Sequence, residues 1–378
     1  LTITTKKNGE GINNNQKLAT KTKRVLVAPL NWGLGHATRC MPIINELLRQ
    51  DIEVIIASDG TALELLKKEY PTLKYLKLPA YKVTYGSGNM VWDIGKQIPK
   101  IGFAILSEWF VLQRLIKKYD IDVVISDNRY GCWSWKIPTI IMTHQVNIKI
   151  PIRWLESIVN VSNHLALRFF DTIWIPDFRS EPSLAGDLSH GFSLTKVKYI
   201  GVLSRMKKME VKQDFDIGII LSGPEPQRTF LEEKLVKQIE FIHQNIDNEI
   251  SFLLVKGKTD SEEFKQSENL EIYGYLTAEI LNKKMMACEV IVARSGYSTL
   301  MDLVKMNKKV AFIPTPGQTE QEYLVKNLEN QGIYWKSQKD FELEEVIEKI
   351  GDLKELKMEN VADNLLKNVI SELITFFS

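Results

Sequence analysis

Cysteine is scarce: only Cys40, Cys132 and Cys288 occur, and they stand far apart in the chain. An odd number of isolated thiols argues against a disulfide framework or a zinc site and suits a reducing compartment. Long apolar runs are missing as well. The nearest, residues 101–116, is interrupted by Glu108 and Arg114 and reads as an amphipathic helix. The first 23 residues lack the apolar core of a secretory signal, and their Thr, Lys and Asn content suggests a disordered tail. These absences together point to the cytoplasm. Net charge is close to zero but unevenly spread. Residues 1–213 carry 30 Lys and Arg against 18 Asp and Glu, whereas the remainder carries 19 against 29. A basic first half suits an anionic partner, either a phosphorylated acceptor or the inner face of a membrane. The alternative is a surplus of surface lysines. No nucleic-acid partner is expected.

What is present is a β/α rhythm. The 378 residues, 44% hydrophobic, suffice for two cores. Apolar runs at 24–30, 53–57, 123–126, 139–142 and 172–175 alternate with helical patterns, the mark of a parallel sheet. A second set follows at 216–221, 251–255, 271–273, 290–293 and 310–313. Between the sets, residues 201–215 lose periodicity and turn charged. The expected class is α/β, with two Rossmann-like domains whose parallel sheets face each other across a cleft. The first spans residues 24–205 and the second 206–355, and a helix over 356–378 is expected to cross back to the first.

Residues 290–323 are the most informative stretch: two strand–loop–helix steps whose polar side chains gather where strands end, the place ligands occupy in open α/β sheets. The Ser295-Gly296 turn opens a helix and leaves N–H groups for an anion or hydroxyl. Asp302 could reach the vicinal hydroxyls of a ribose, and Gln321 and Glu322 those of a sugar. The bland alternative puts all three on solvated faces. In the first half, residues 33–36 (Gly-Leu-Gly-His) lack the third glycine of a dinucleotide fingerprint. Gly35 permits a sharp turn, and His36 would project from a helix start, where its charged form is disfavoured and a general base becomes plausible. A structural histidine is the alternative. Thr38 and Arg39, one helical step on, are candidates for an acceptor phosphate or hydroxyl. Two further turns follow strands: residues 126–131, with Asp127 and Arg129, and residues 143–147, with His144 and Asn147. Asp127 is a second candidate for the base, or an Asx-turn residue. Two Asp-x-Asp pairs, at 120–122 and 214–216, precede strands and so sit at the wrong edge for a metal; no metal site is expected.

The 290–323 stretch resembles the donor-binding half of family 28 glycosyltransferases, which carry the GT-B architecture. The resemblance implies transfer from a UDP-sugar, as co-substrate with no cofactor, to a glycan, lipid-linked or small-molecule acceptor. It implies Asp302 at the ribose and Gln321-Glu322 at the donor sugar. Glu322 stands where the family has a second glutamine, and a carboxylate accepts but cannot donate. N-acetylglucosamine is the donor by default. Arg205, four residues after Gly201, matches an arginine of the family's linker motif and would meet the diphosphate. Ser222 and Gly223, with Arg228, take the place of the phosphate loop, although two prolines replace its glycines. Leu276, with Tyr275, would line the uracil. The turn at His144 and Asn147 resembles a His-Glu-Gln-Asn motif. A non-catalytic nucleotide-sugar-binding scaffold is the rival reading; an epimerase would need further carboxylates near the sugar. The basic and aromatic segment at residues 149–155 suggests peripheral membrane attachment.

Overall fold

The computed structural model describes residues 22–83, 90–150, 152–180, 182–358 and 364–376. Most of the expected tail lies outside these, as do Pro151 within the basic-aromatic segment and residues 359–363, 377 and 378 near the C terminus.

Strands β1 (Arg24–Pro29), β2 (Glu53–Ser58), β3 (Lys74–Lys77), β4 (Val123–Asp127), β5 (Thr139–Met142), β6 (Thr172–Ile175) and β7 (Val197–Tyr199) form one sheet. Its order is β3-β2-β1-β4-β5-β6-β7, and every pairing in it is parallel. A second sheet holds β8 (Phe215–Ile220), β9 (Phe252–Val255), β10 (Phe264–Ser267), β11 (Leu270–Tyr273), β12 (Cys288–Ala293), β13 (Lys309–Phe312) and β14 (Tyr334–Trp335). Here the order is β10-β11-β9-β8-β12-β13-β14, and only the β10–β11 hairpin is antiparallel.

Connecting helices are α1 (Leu34–Arg49), α2 (Gly60–Glu69), α3 (Met90–Tyr119), α4 (Arg153–Leu167), α5 (Gln227–Asn245), α6 (Ala278–Met286), α7 (Tyr297–Met306), α8 (Thr319–Glu329), α9 (Leu343–Glu348) and α10 (Leu365–Phe376). The central strands read as unbroken apolar runs because helices cover both faces of each sheet. Val123, Val124 and Ile125, and likewise Val290, Ile291 and Val292, are buried throughout. The last helix lies on the first lobe: Lys198 pairs with Glu372 at 2.6 Å, and Ile370 is fully buried.

Both sheets point the carboxyl ends of their strands toward the seam between the lobes. Where β1 ends, Gly33 adopts φ +83° and caps α1, a conformation that favours glycine. Beside it, β4 ends with Asp127 in register with Pro29. The first turn of α1 and the end of β4 therefore meet at one point of the seam, opposite the start of α7.

Candidate active site

His36 is in the first turn of α1, its side chain 15% exposed, with Nδ1 3.1 Å from Oδ2 of Asp127. Asp127 is fully buried. Nε of Arg39 donates to its Oδ2 at 2.8 Å, and Nη2 donates to Oδ1. Burial alone would raise the carboxyl pKa, but Arg39 and then His36 outweigh it and hold the group at about 2. Desolvation pushes His36 below the ordinary histidine value, with Asp127 opposing and Arg39 reinforcing the shift. The ring is thus neutral at physiological pH and backed by a permanent anion. That is the arrangement of a general base and its orienting carboxylate.

The same cluster reaches across the seam. Nη1 of Arg39 donates to Nδ1 of His144 at 3.0 Å, and Nε2 of His144 faces Oε1 of Glu320 at 2.6 Å. His144 stacks flat on Tyr297, with centroids 4.0 Å apart and planes 2° from parallel. Ser298 Oγ donates to the carbonyl of Gly35 at 2.9 Å, and Tyr297 Oη to the carbonyl of Pro176 at 2.7 Å. Two helix N-termini, of α1 and α7, face one another here, so partial positive charge converges on the seam.

On the second lobe, Asp302 Oδ1 accepts from Ser204 Oγ at 2.6 Å. Desolvation raises its pKa, against the nearby Arg205. Nε and Nη1 of Arg205, buried from solvent, have no hydrogen-bond partner among the described residues. Gly223 adopts φ +104°, and a Cβ there would lie 3.6 Å from Thr315 Oγ1, itself a buried hydroxyl with no described partner. Buried donors without acceptors are costly. Arg205 and Thr315 are therefore available to an oxyanion.

Residues 225–372 match the glycosyltransferase family 28 C-terminal domain. A glycosyltransferase of Methanosarcina mazei is 23% identical over 335 residues, covering 82% of this chain and 84% of its own. The UDP-N-acetylglucosamine--N-acetylmuramyl-(pentapeptide) pyrophosphoryl-undecaprenol N-acetylglucosamine transferase of Sulfurihydrogenibium is 23% identical over 315 residues, with the same coverage of 82% and 84%. In fold, the crystal structure of MurG from Acinetobacter baumannii superposes with a TM-score of 0.52 at 14% identity, covering 92% of each chain. The chain is a family 28-like glycosyltransferase. Its two lobes form the GT-B fold.

Several residues of this glycosyltransferase have other duties than the sequence suggested. Asp127 is not placed to take a proton from an acceptor: it is sealed from solvent and bound to Arg39, so it orients His36 instead. Arg39, 2% exposed, is committed to Asp127, His36 and His144 and offers nothing to an acceptor phosphate. Arg129 is a core residue, tied to Glu108, to Asp59 at 2.7 Å and to the carbonyl of Pro29. Asn147 braces the 187–190 turn through the carbonyls of Asp187 and His190 at 2.9 and 2.7 Å. Thr38 Oγ1 donates back to Gly35 at 3.0 Å.

In the donor lobe, Arg228 is held by Glu225 at 3.0 Å and by the carbonyl of Gly257 at 3.0 Å, so its charge is neutralised locally. Gln321 accepts from Thr315 N through its side-chain carbonyl at 2.8 Å and donates from its amide to Gln318, which shapes the loop. Ser295 Oγ donates to the carbonyl of Gln321 at 3.1 Å, joining the two loops. Leu276 is buried, while Tyr275 beside it donates to Glu69 of the first lobe at 3.0 Å. Gly296 caps α7, and Ser222, Gly223 and Glu322 remain partly accessible at the same edge.

Glu320, Tyr297 and Ser298 escaped the sequence reading. Their one local signal was position, each within two residues of one singled out at a helix start. Asp122 and Asp216, in the Asp-x-Asp pairs, accept backbone N–H groups of Arg24 and Ser251 at 2.8 Å.

Proposed function

We propose that this glycosyltransferase moves a sugar, N-acetylglucosamine by default, from a UDP-sugar to an acceptor hydroxyl, with inversion and without a metal ion. The observation that carries the reading is the His36–Asp127 pair, 3.1 Å apart at a helix start facing the donor lobe. Nε2 of His36 takes the hydroxyl proton while the oxygen attacks the anomeric carbon from the side opposite UDP. A single displacement of that kind inverts the centre. Asp127 stabilises the imidazolium that forms, and the proton later leaves to solvent. Arg205 and the amide donors at the α7 start hold the departing diphosphate, supplying charge that a cation would otherwise bring. Asp302, whose Oδ1 accepts from Ser204, takes the ribose hydroxyls in this reading. The UDP-N-acetylglucosamine donor follows the Sulfurihydrogenibium relative's name, as does a lipid-linked acceptor.

A membrane-bound acceptor accords with the outer face of the first lobe. Trp154, Ile158, Val161 and Leu165 recur at helical spacing on α4 and are 68%, 55%, 60% and 54% exposed. Phe103 and Phe110 of α3 and Trp135 are exposed beside them. Trp133 stacks on Phe169, just past α4, at 4.8 Å and joins the two sets. Lys96 and Lys100 are exposed on α3, and Arg153 and Arg168 are exposed at the two ends of α4. Apolar bodies ringed by cations suit peripheral attachment to anionic lipid. No described helix is long and apolar enough to cross a membrane.

The test is a thermal-shift screen of UDP-, GDP- and TDP-sugars, followed by UDP release with lipid-linked and soluble acceptors. UDP-sugars should stabilise the protein, and His36→Ala should abolish turnover while retaining UDP binding. Stabilisation by GDP- or TDP-sugars alone would reject the donor. UDP binding without turnover by the unmodified protein would favour a scaffold.

A further inference from the structure

Nδ1 of His36 lies 2.9 Å from Nη2 of Arg39 and 3.1 Å from Oδ2 of Asp127. A guanidinium only donates and an ionised carboxylate only accepts, so Nδ1 can satisfy one of them at a time. With its proton on Nδ1, directed at Asp127, the ring has a free lone pair on Nε2 and can accept a proton. With Nδ1 accepting from Arg39, the proton sits on Nε2 and the ring cannot serve as a base. The placement of Arg39 therefore decides whether His36 is competent.

Arg39 has a third partner that competes for it. Its Nη1 donates to Nδ1 of His144 at 3.0 Å, which fixes the His144 proton on Nε2. That Nε2 in turn donates to Oε1 of Glu320 at 2.6 Å. Glu320 lies in the first turn of α8 in the donor lobe, immediately before Gln321 and Glu322. Stacking on Tyr297 keeps the His144 ring in plane. Loss of the Glu320 carboxylate would free His144 to place its proton on Nδ1, where it repels Arg39 toward His36.

We propose that Glu320 is a positioning residue that acts through His144 and Arg39 to set the tautomer of His36, so that the base is armed only when the donor-lobe loop 314–322 is seated on the first lobe. This rests on His36 being the base. The charged and titratable groups around that chain are Asp127, Arg39 and His144 facing His36, Cys40 against Asp127, and Tyr297 against His144. A donor bound with the lobes apart then meets a histidine unable to activate either water or acceptor. Proton acceptance is thereby coupled to donor-loop closure.

The experiment uses the full chain labelled with ¹⁵N-histidine. Two-bond ¹H–¹⁵N spectra distinguish Nδ1–H from Nε2–H rings among the five histidines, with His36→Asn and His144→Asn giving the assignments. Expected are Nε2–H for His144 and Nδ1–H for His36. In Glu320→Ala, His36 should shift toward Nε2–H. UDP release from UDP-N-acetylglucosamine should fall about tenfold in kcat, less than the roughly 10²–10⁴-fold expected for outright loss of a general base, with the donor KM little changed. Glu320→Asp should restore part of both. Glu320→Gln, which keeps the side-chain length but weakens the bond to His144, should move the spectrum the same way by less. An unchanged His36 pattern in Glu320→Ala and Glu320→Gln overturns the inference. Wild-type turnover in His36→Ala would instead reject the base assignment and leave the tautomer result standing.

Discussion

The hydroxyl of Ser298, in the first turn of α7, donates to the carbonyl of Gly35, in the first turn of α1, at 2.9 Å. The two lobes thus touch backbone to side chain at the point where their helix dipoles converge. A Cβ on Gly35 would stand 3.0 Å from Ser298 Oγ, too close unless that hydroxyl rotates away. Gly35 has an ordinary helical backbone, so Gly35→Ala should raise helix stability, by up to about 1 kcal/mol, while breaking the cross-lobe bond. Gly33 is the contrast: its φ of +83° makes Gly33→Ala destabilising by about 1 kcal/mol although nothing crowds it. Thermal melts beside transfer rates separate the two. Gly35→Ala should be stable and slow, and Gly33→Ala should be unstable.

The His36–Asp127 pair makes two predictions about pH. Desolvation lowers the His36 pKa, so the acid limb of kcat/KM should have its midpoint below about 6.5, the ordinary histidine value. Asp127→Asn should slow transfer by about 10²–10⁴-fold, because an amide does not hold the Nδ1–H tautomer. The stability effect has the same pH sense, but its window lies lower. Asp127 is depressed to about 2 in the folded state, so its contribution is present above pH ~4 and is lost as pH falls toward ~2. The wild type should lose about 2 kcal/mol from this group across that window. Asp127→Asn should lose none of it, but should already be about 3–5 kcal/mol less stable at neutral pH, with Arg39 left unpaired. Urea midpoints from pH 7 to pH 2 check both signs.

The legibility of the fold followed burial. Strands β4, β5 and β12 are covered on both faces and wrote themselves as unbroken apolar runs. Strands β3 (KYLK), β7 (VKY), β10 (FKQS) and β14 (YW) went unseen, being short, half-exposed and at or near sheet edges. In the site, His36 and Asp127 could be named because each ends a strand step, and β1 and β4 are neighbours. Their division of labour could not. It depends on Arg39 turning inward to fill both Asp127 oxygens, which a helical arginine next to a glycine turn does not announce. Glu320 was beyond reach for a related reason. Its partner His144 lies 176 positions away, on the other lobe.

Arg205 contributes to ligand binding and to stability. Its Nε and Nη1 are buried without a described acceptor, and its charge opposes the desolvation of Asp302. Arg205→Ala leaves that carboxyl without its cation and should lower stability by about 1–3 kcal/mol. It should weaken UDP binding by about 1.5–3 kcal/mol, the worth of a charge-assisted bond. Isothermal titration with UDP and with uridine distinguishes the contact made. If Arg205 meets the diphosphate, affinity for UDP falls and that for uridine does not.

The outer face of α4 offers a test of membrane attachment that leaves the chemistry untouched. Trp154 and Val161 are more than half exposed, whereas α4 buries Asn163 and Leu167, so replacing them costs little folding energy. The double change Trp154→Ser, Val161→Asp removes apolar area from the patch and adds an anion against anionic lipid. Flotation with vesicles containing phosphatidylglycerol should carry the wild type upward and leave the variant in the soluble fraction. Salt should weaken the wild-type interaction, since the basic rim acts through screened charge. Turnover of a water-soluble acceptor should be equal in the two proteins, and only transfer to a vesicle-embedded acceptor should fall in the variant. Equal flotation of both proteins would place the membrane contact elsewhere, and a wild type that stays soluble would remove it altogether.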